Sequence, residues 1–390
     1  MKRNILLNPG PATTTDSVKQ AQLVPDICPR EEEFTLVMKE VQRDLLKIVH
    51  ADSEKYSAVL FCGSGTLTMD VCINSLLPEN KKILIVNNGS YSSRAVEICR
   101  AYNLNFINLE LPFEKSADSR SVKNILDNDP EISVVYATHQ ETGTGVLNPI
   151  AEIGKIAHEH NAVFVVDTTS TFALLPIDIE KFNIDFCMAS AQKGIQGMTG
   201  LSFVVGRKKI IEESKNYPVR SYYCNLFKQY DYFCKTGQMQ FTPPVQIIYA
   251  ARQALKEYFQ EGETEKYNRH KRIANAIHNG LKDLNFQEII QPEYQSDLVV
   301  TVKYPIDTNW NFNKVHDYCY ERGFTIYPGK MQHENTFRLC ALGAIDKIDI
   351  ENFFVIFKEA LKHFNVKIPV YYNSDNNKKT EGHNNFYKNS

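Results

Sequence analysis

Between residues 57 and 205 short apolar runs alternate with longer stretches in which apolar residues recur every three or four positions. The runs predict strands at 57–61, 82–86, 106–109, 133–137, 162–166, 184–189 and 201–205, of which the nearly unbroken 162–166 reads as buried on both faces. The periodic stretches predict helices at 34–49, 67–76, 121–128 and 151–160, with another ending near Ala101. Alternating strand and helix is the pattern of a mostly parallel sheet, here seven-stranded, covered by helices: an α/β fold.

The pattern changes further on. The aromatic-rich stretch 222–233 has no clear period and receives no assignment, and Pro243 and Pro244 then stop what precedes a long helix beginning near Val245. From there the chain reads as helices 246–259 and 263–284, strand 298–303, helix 313–322, strands 324–326 and 336–340, and helix 350–364, a smaller α+β unit. The expected organisation is an N-terminal segment 1–15 packing at the active site, a large domain 16–255, a small C-terminal domain 256–366, and a polar tail 367–390 with few apolar anchors, read as disordered.

Composition narrows the function. With 43% hydrophobic and 23% charged residues the chain has the make-up of an ordinary globular protein, and 390 residues suffice for two domains. A net charge of −2 gives no electrostatic case for nucleic acid or an anionic membrane surface. The densest basic cluster, Arg207-Lys208-Lys209, reads as a solvated turn. No window approaches the roughly 20 apolar residues of a membrane span, so a cytoplasmic location is expected. The nine cysteines are scattered without a C-x-x-C pair or zinc-site spacing; reduced thiols are expected, with none on an exposed loop and no metal.

The candidate chemistry sits at strand ends. The run 162–166 closes on Asp167, and the run 184–189 gives way to Ser190-Ala191-Gln192-Lys193-Gly194. In an open α/β sheet the carboxyl ends of strands face the ligand crevice, so Asp167 and Lys193 can share a pocket. A lysine amine that forms a covalent bond with a pyridoxal phosphate aldehyde, and a carboxylate that keeps its ring nitrogen protonated, are what that cofactor requires. A salt bridge at the sheet edge is the plainer alternative. Gly63-Ser64-Gly65-Thr66, between a strand and a helix, is a candidate phosphate seat, although many such turns need glycine for geometry alone. Tyr91 opens a helix where its ring could stack on a planar group. His139 reads more readily as structural than as an acid or base. Arg338 lies inside a strand, a forked cation suited to carboxylates and phosphonates or to an inter-domain salt bridge.

Taken in order, these stretches resemble the class V aminotransferases of the fold type I pyridoxal phosphate enzymes up to about residue 366. The likeness rests on Asn8-Pro9-Gly10-Pro11 with its threonines, Asp26 to Phe34, Gly63 to Thr66, Asn88 to Tyr91, His139 with Glu141 to Gly145, Phe241 to Val245, and Tyr327 to Lys330 with Thr336 to Arg338. It implies that Lys193 joins pyridoxal 5'-phosphate and carries a proton, and that Asp167 pairs with the ring nitrogen. It implies further that Tyr91 stacks on the ring, that Thr142 meets the ring hydroxyl, and that Ser64, Gly65, Thr66 and Gln192 hold the phosphate. Thr242 is expected to reach the phosphate of a neighbouring subunit, which implies a homodimer with shared active sites. Arg338 is expected to bind the anionic end of small-molecule substrates, an aminophosphonate or amino acid as donor and a 2-oxo acid as acceptor.

Overall fold

The computed structural model describes residues 3–331 and 333–372, so the expectation for the tail beyond residue 372 lies outside the described residues. The chain begins with β1 (Ile5–Leu6), α1 (Asp16–Gln20), α2 (Glu32–Ile48), β2 (Tyr56–Cys62), α3 (Gly65–Leu76), β3 (Lys82–Asn87), α4 (Ser90–Ala101) and β4 (Phe106–Glu110). It continues through α5 (Ser119–Asn128), β5 (Ile132–Thr138), α6 (Ile150–Glu159), β6 (Val163–Asp167), β7 (Phe186–Ser190), β8 (Leu201–Arg207), α7 (Lys208–Glu213), α8 (Leu226–Thr236) and α9 (Val245–Glu261). After Gly262 come α10 (Glu263–Asp283), β9 (Val299–Lys303), α11 (Phe312–Glu321), β10 (Phe324–Thr325), β11 (Tyr327–Pro328), β12 (Thr336–Cys340) and α12 (Lys347–His363).

All seven predicted strands of the first part form, in one sheet of order β2-β8-β7-β6-β5-β3-β4. Every pair is parallel except those made by β8, which runs antiparallel to both β2 and β7. Alternate residues feed opposite faces, as strand geometry requires. On β5, Val135 and Ala137 join one core with residues of α2, α5, α6 and α9, whereas Val134 and Tyr136 join another with residues of α3, α4 and α8. The sheet is therefore covered on both sides, which is why its strands read as unbroken apolar runs.

A third core collects α10, α11 and α12 with β9 and β12. Ile5 and Leu7 also belong to it, because β1 pairs in parallel with β10 and not with the large sheet. The unassigned stretch 222–233 proves largely helical, as α8. Asn225 caps it by accepting from the Lys228 amide, and Gly237, at φ 70°, ends it in the left-handed conformation that suits glycine. Its buried face includes Gln229, whose side-chain amide donates to the Leu60 carbonyl at 2.9 Å. A polar residue on the inward face disguised the period.

Candidate active site

The carboxyl ends of β2, β3, β5, β6 and β7 open onto one crevice. Chain order explains its position: β3 leads outward to β4, whereas β5, on the other side of β3, leads to β6 and β7. The direction of winding reverses between β3 and β5, the switch point at which open α/β sheets bind ligands. Tyr91 follows the first of these strands and Thr142 the second. A cavity of about 200 Å³ lies here, and Ser64, Gly65, Thr66, Tyr91, Thr142, Asp167, Gln192 and Lys193 all line it.

Lys193 is buried, and its Nζ donates to Thr142 Oγ1 at 3.2 Å and stands 5.3 Å from the centre of the Tyr91 ring. Burial lowers its pKa to about 8, working against the Asp167 carboxylate, which favours the charged form. The amine is therefore partly unprotonated near neutral pH, the state a nucleophilic lysine needs. Gly10 lies against this side chain: a Cβ built there would be 3.0 Å from Lys193 Cε. Asp167 ends β6 and accepts from the Thr169 amide at 2.8 Å. Among the described residues it makes no salt bridge, so the plainer alternative of an ion pair at the sheet edge is not what the structure holds.

The N-terminus of α3 lines the same cavity. Ser64 is its N-cap residue but makes no side-chain capping bond, leaving that hydroxyl and the first amides directed at the cavity mouth. Arg94, one turn along α4 from Tyr91, donates to Thr66 Oγ1 at 2.8 Å, with its guanidinium carbon 4.9 Å from the Tyr91 ring centre. Gln192 Oε1, Thr169 Oγ1 and Ser190 Oγ are buried in the same region without a hydrogen-bond partner. Such orphaned polar atoms are costly unless a ligand completes them.

A buried carboxylate lies behind the Tyr91 helix: Glu141 is fully buried and accepts from the Ser92 amide at 2.7 Å, Ser92 Oγ at 2.6 Å and the Tyr91 amide at 3.1 Å. It caps the N-terminus of α4 and so fixes Tyr91 and Arg94. Burial raises its pKa, opposed by those hydrogen bonds. His139 is neutral here, because burial lowers its pKa to about 3, and its Nδ1 meets Thr171 Oγ1 at 2.9 Å. That is the structural role expected from the sequence.

Arg338 is buried on β12, and its guanidinium is held by backbone: Nε and Nη2 donate to the Pro328 carbonyl at 3.1 and 2.9 Å, and Nη1 to the Thr142 carbonyl at 2.8 Å. Among the described residues no carboxylate pairs with it. A buried cation without a counter-ion is a ready seat for an anion. Thr242, by contrast, is exposed ahead of α9 and does not line the cavity of its own chain.

Sequence reading missed Arg94, Thr169 and Lys330 as members of the site. Spacing could have found the first, since residue 94 lies one turn from Tyr91 on the same helix face. Another expectation needs correction: Cys28 is exposed on the loop between α1 and α2, and Cys234 is exposed on α8, while Cys72, Cys99, Cys187, Cys319 and Cys340 are buried. A larger open groove of about 810 Å³ between α2 and α9 is lined by surface charges, among them the ion pair of Arg252 with Glu40, and lacks convergent polar groups. No helix among the described residues is long and apolar enough to cross a membrane.

The fit to pyridoxal phosphate rests on this donor set: a buried amine with a lowered pKa, an unpaired carboxylate at a strand end, an aromatic face, and a helix N-terminus for phosphate. Comparison with known proteins agrees. Residues 20–341 match the family model for Aminotransferase class-V. The chain is 34% identical over 359 residues to a 2-aminoethylphosphonate–pyruvate transaminase of Lysinibacillus sphaericus (strain C3-41), covering 90% of this chain and 97% of the relative. It is 35% identical over 349 residues to a bifunctional phosphonoacetaldehyde hydrolase/aminoethylphosphonate transaminase of Clostridioides difficile (strain 630), covering 89% of this chain and 55%, about half, of that longer protein. The crystal structure of the ureidoglycine–glyoxylate aminotransferase of Bacillus subtilis superposes with a TM-score of 0.86 at 19% identity, covering 94% of this chain and 95% of that one.

Proposed function

We propose that this chain, which belongs to the class-V aminotransferases, moves the amino group of 2-aminoethylphosphonate to pyruvate, giving phosphonoacetaldehyde and L-alanine, or runs the same exchange in reverse. The observation that carries the reading is the meeting in one crevice of the buried Lys193 amine and the Asp167 carboxylate, with the buried, unpaired Arg338 bonded to the carbonyl of Thr142 in the crevice wall. Bound pyridoxal phosphate would supply an electron sink for the carbanion left when the donor carbon loses its proton.

The residues divide the work. Lys193 would hold the cofactor covalently, and its Nζ would carry the proton between the donor carbon and the cofactor carbon. A pKa of about 8 suits an amine that must accept and return a proton near neutral pH. Asp167 would hold a proton on the cofactor's ring nitrogen, and Tyr91 would stack against the ring. Thr142 Oγ1, already 3.2 Å from Lys193 Nζ, would meet the ring hydroxyl. Ser64, Gly65, Thr66 and Gln192 would hold the phosphate, with Arg94 behind Thr66 as a further cation. Arg338 would grip the phosphonate in one half-reaction and the carboxylate of pyruvate or alanine in the other.

A homodimer completes the site in this reading, with Thr242 reaching the phosphate of the other subunit. Its exposure supports that role, as does the neighbouring exposed Tyr222, whose ring centre lies 5.8 Å from that of Phe241. The N-terminal segment 1–15 would form one wall, since Gly10 packs on Lys193 and the Ala12 amide donates to the Gln192 carbonyl at 2.8 Å.

An amino-donor screen, followed by the absorbance change of the bound cofactor, tests the assignment. Turnover of 2-aminoethylphosphonate with pyruvate is expected. Activity confined to alanine and glyoxylate would overturn the choice of substrate.

A further inference from the structure

Arg338 by itself matches a carboxylate better than a phosphonate. Three of its N–H groups are committed to the carbonyls of Pro328 and Thr142, which leaves two of the five for a substrate. Two donors satisfy the two oxygens of a carboxylate. A phosphonate, like a phosphoryl group, presents three acceptor oxygens and a second negative charge, and needs a further cation.

Lys330 is built to be near. It follows the turn whose Pro328 carbonyl holds Arg338, and that turn is fixed: the Gly329 amide donates to the Thr336 carbonyl at 2.6 Å, and a side chain at 329 would collide with Thr336 Oγ1. Lys330 Cβ lies 3.6 Å from a Cβ built on Gly143, the neighbour of the Thr142 whose carbonyl takes the other side of Arg338. Its Nζ stands 5.5 Å from the Tyr91 ring centre, the same ring that Lys193 Nζ approaches at 5.3 Å. Arg94 donates instead to Thr66 Oγ1, beside the N-terminus of α3 where the cofactor phosphate would lie.

We infer that Lys330 is the second cation of the substrate seat and the residue that sets preference for a phosphonate over a carboxylate, an inference that rests on the transaminase reading above. Its surroundings agree. Among the described residues no carboxylate lies within ion-pair distance of Lys330, and its pKa is lowered by partial burial and then by Arg338 and Arg94. A bound dianion would relieve that repulsion between cations; a monoanion shared with Arg338 would relieve less.

The test compares K330M and K330R with the unaltered enzyme, using ethylphosphonate and propionate as competitive inhibitors and 2-aminoethylphosphonate and L-alanine as donors. K330M is expected to weaken ethylphosphonate by about 10- to 100-fold, the worth of one charge-assisted hydrogen bond, and propionate by less than about threefold. The loss for 2-aminoethylphosphonate should fall on KM more than on kcat, and K330R should retain most of the phosphonate affinity. Equal weakening of both inhibitors, or no change in either, would overturn the inference. Failure of the unaltered enzyme to use 2-aminoethylphosphonate would instead count against the proposed substrate, and the inhibitor pair would still decide whether position 330 separates phosphonates from carboxylates.

Discussion

Replacing Arg338 by lysine should damage both half-reactions to a similar degree. The guanidinium gives three donors to two carbonyls, at 2.8 to 3.1 Å, and would offer the other two to an incoming anion. A lysine ammonium keeps the charge but not the fork: after one of its three N–H groups meets the Thr142 or Pro328 carbonyl, the other two diverge from a single nitrogen and cannot make two parallel bonds to one anion. The loss is about one charge-assisted hydrogen bond, roughly 1.5–3 kcal/mol, or about 10- to 150-fold in kcat/KM. Steady-state kinetics run separately with varied amino donor and varied 2-oxo acid would measure it. Thermal unfolding is the control, because the side chain is buried and one carbonyl is left without its partner. Since one guanidinium is held to serve both substrates, a loss confined to one half-reaction in a folded R338K protein would refute the shared seat. K330M, by contrast, should discriminate between them.

Two other perturbations follow from the electrostatics of the crevice. Asp167→Asn removes the carboxylate that favours the charged amine, so in cofactor-free protein the pH midpoint for reaction of Lys193 with added pyridoxal phosphate should fall below about 8; an unchanged or higher midpoint contradicts the account. Glu141→Gln addresses the buried cap of α4. Burial holds the folded pKa of Glu141 above its ordinary value of 4.5, so the stability it contributes is present below that value and declines as pH rises through the folded pKa. The Tm of E141Q should therefore gain on the unaltered protein as pH rises across that window, and a gain in the opposite direction would show that the hydrogen bonds from Ser92 and Tyr91 outweigh burial.

The large sheet was legible because strands covered on both faces are mostly apolar, with few breaks such as Asn108 on the partly exposed edge strand β4 and Asp185 just ahead of β7. Their ends then located Asp167 and Lys193, since a parallel sheet brings its carboxyl ends to one edge whatever the loops do. The small unit was harder. A strand of two residues such as β1 carries no periodic signal, and its partner β10 is more than three hundred residues away, so nothing local ties Ile5 to Phe324. Helix α8 escaped because Gln229 is buried and hydrogen-bonded while Tyr232 and Phe233 remain partly accessible, which inverts the usual pattern. Lys330 entered the candidate site only through space, by approaching the Tyr91 ring from far along the chain. Glu141, which the sequence offered only as part of the stretch Glu141 to Gly145, is a buried cap. In each case the missing information was tertiary.

The central claim is that a single amine at position 193 holds the cofactor beside the carboxylate at 167. Reconstituting the protein with pyridoxal phosphate, recording its absorbance, then reducing with borohydride and locating the labelled peptide tests that most directly. The account predicts one stoichiometric label per chain on Lys193, and loss of the protein-bound absorbance band in K193A while the protein remains folded. A label on another lysine, or a band unchanged in K193A, would contradict it.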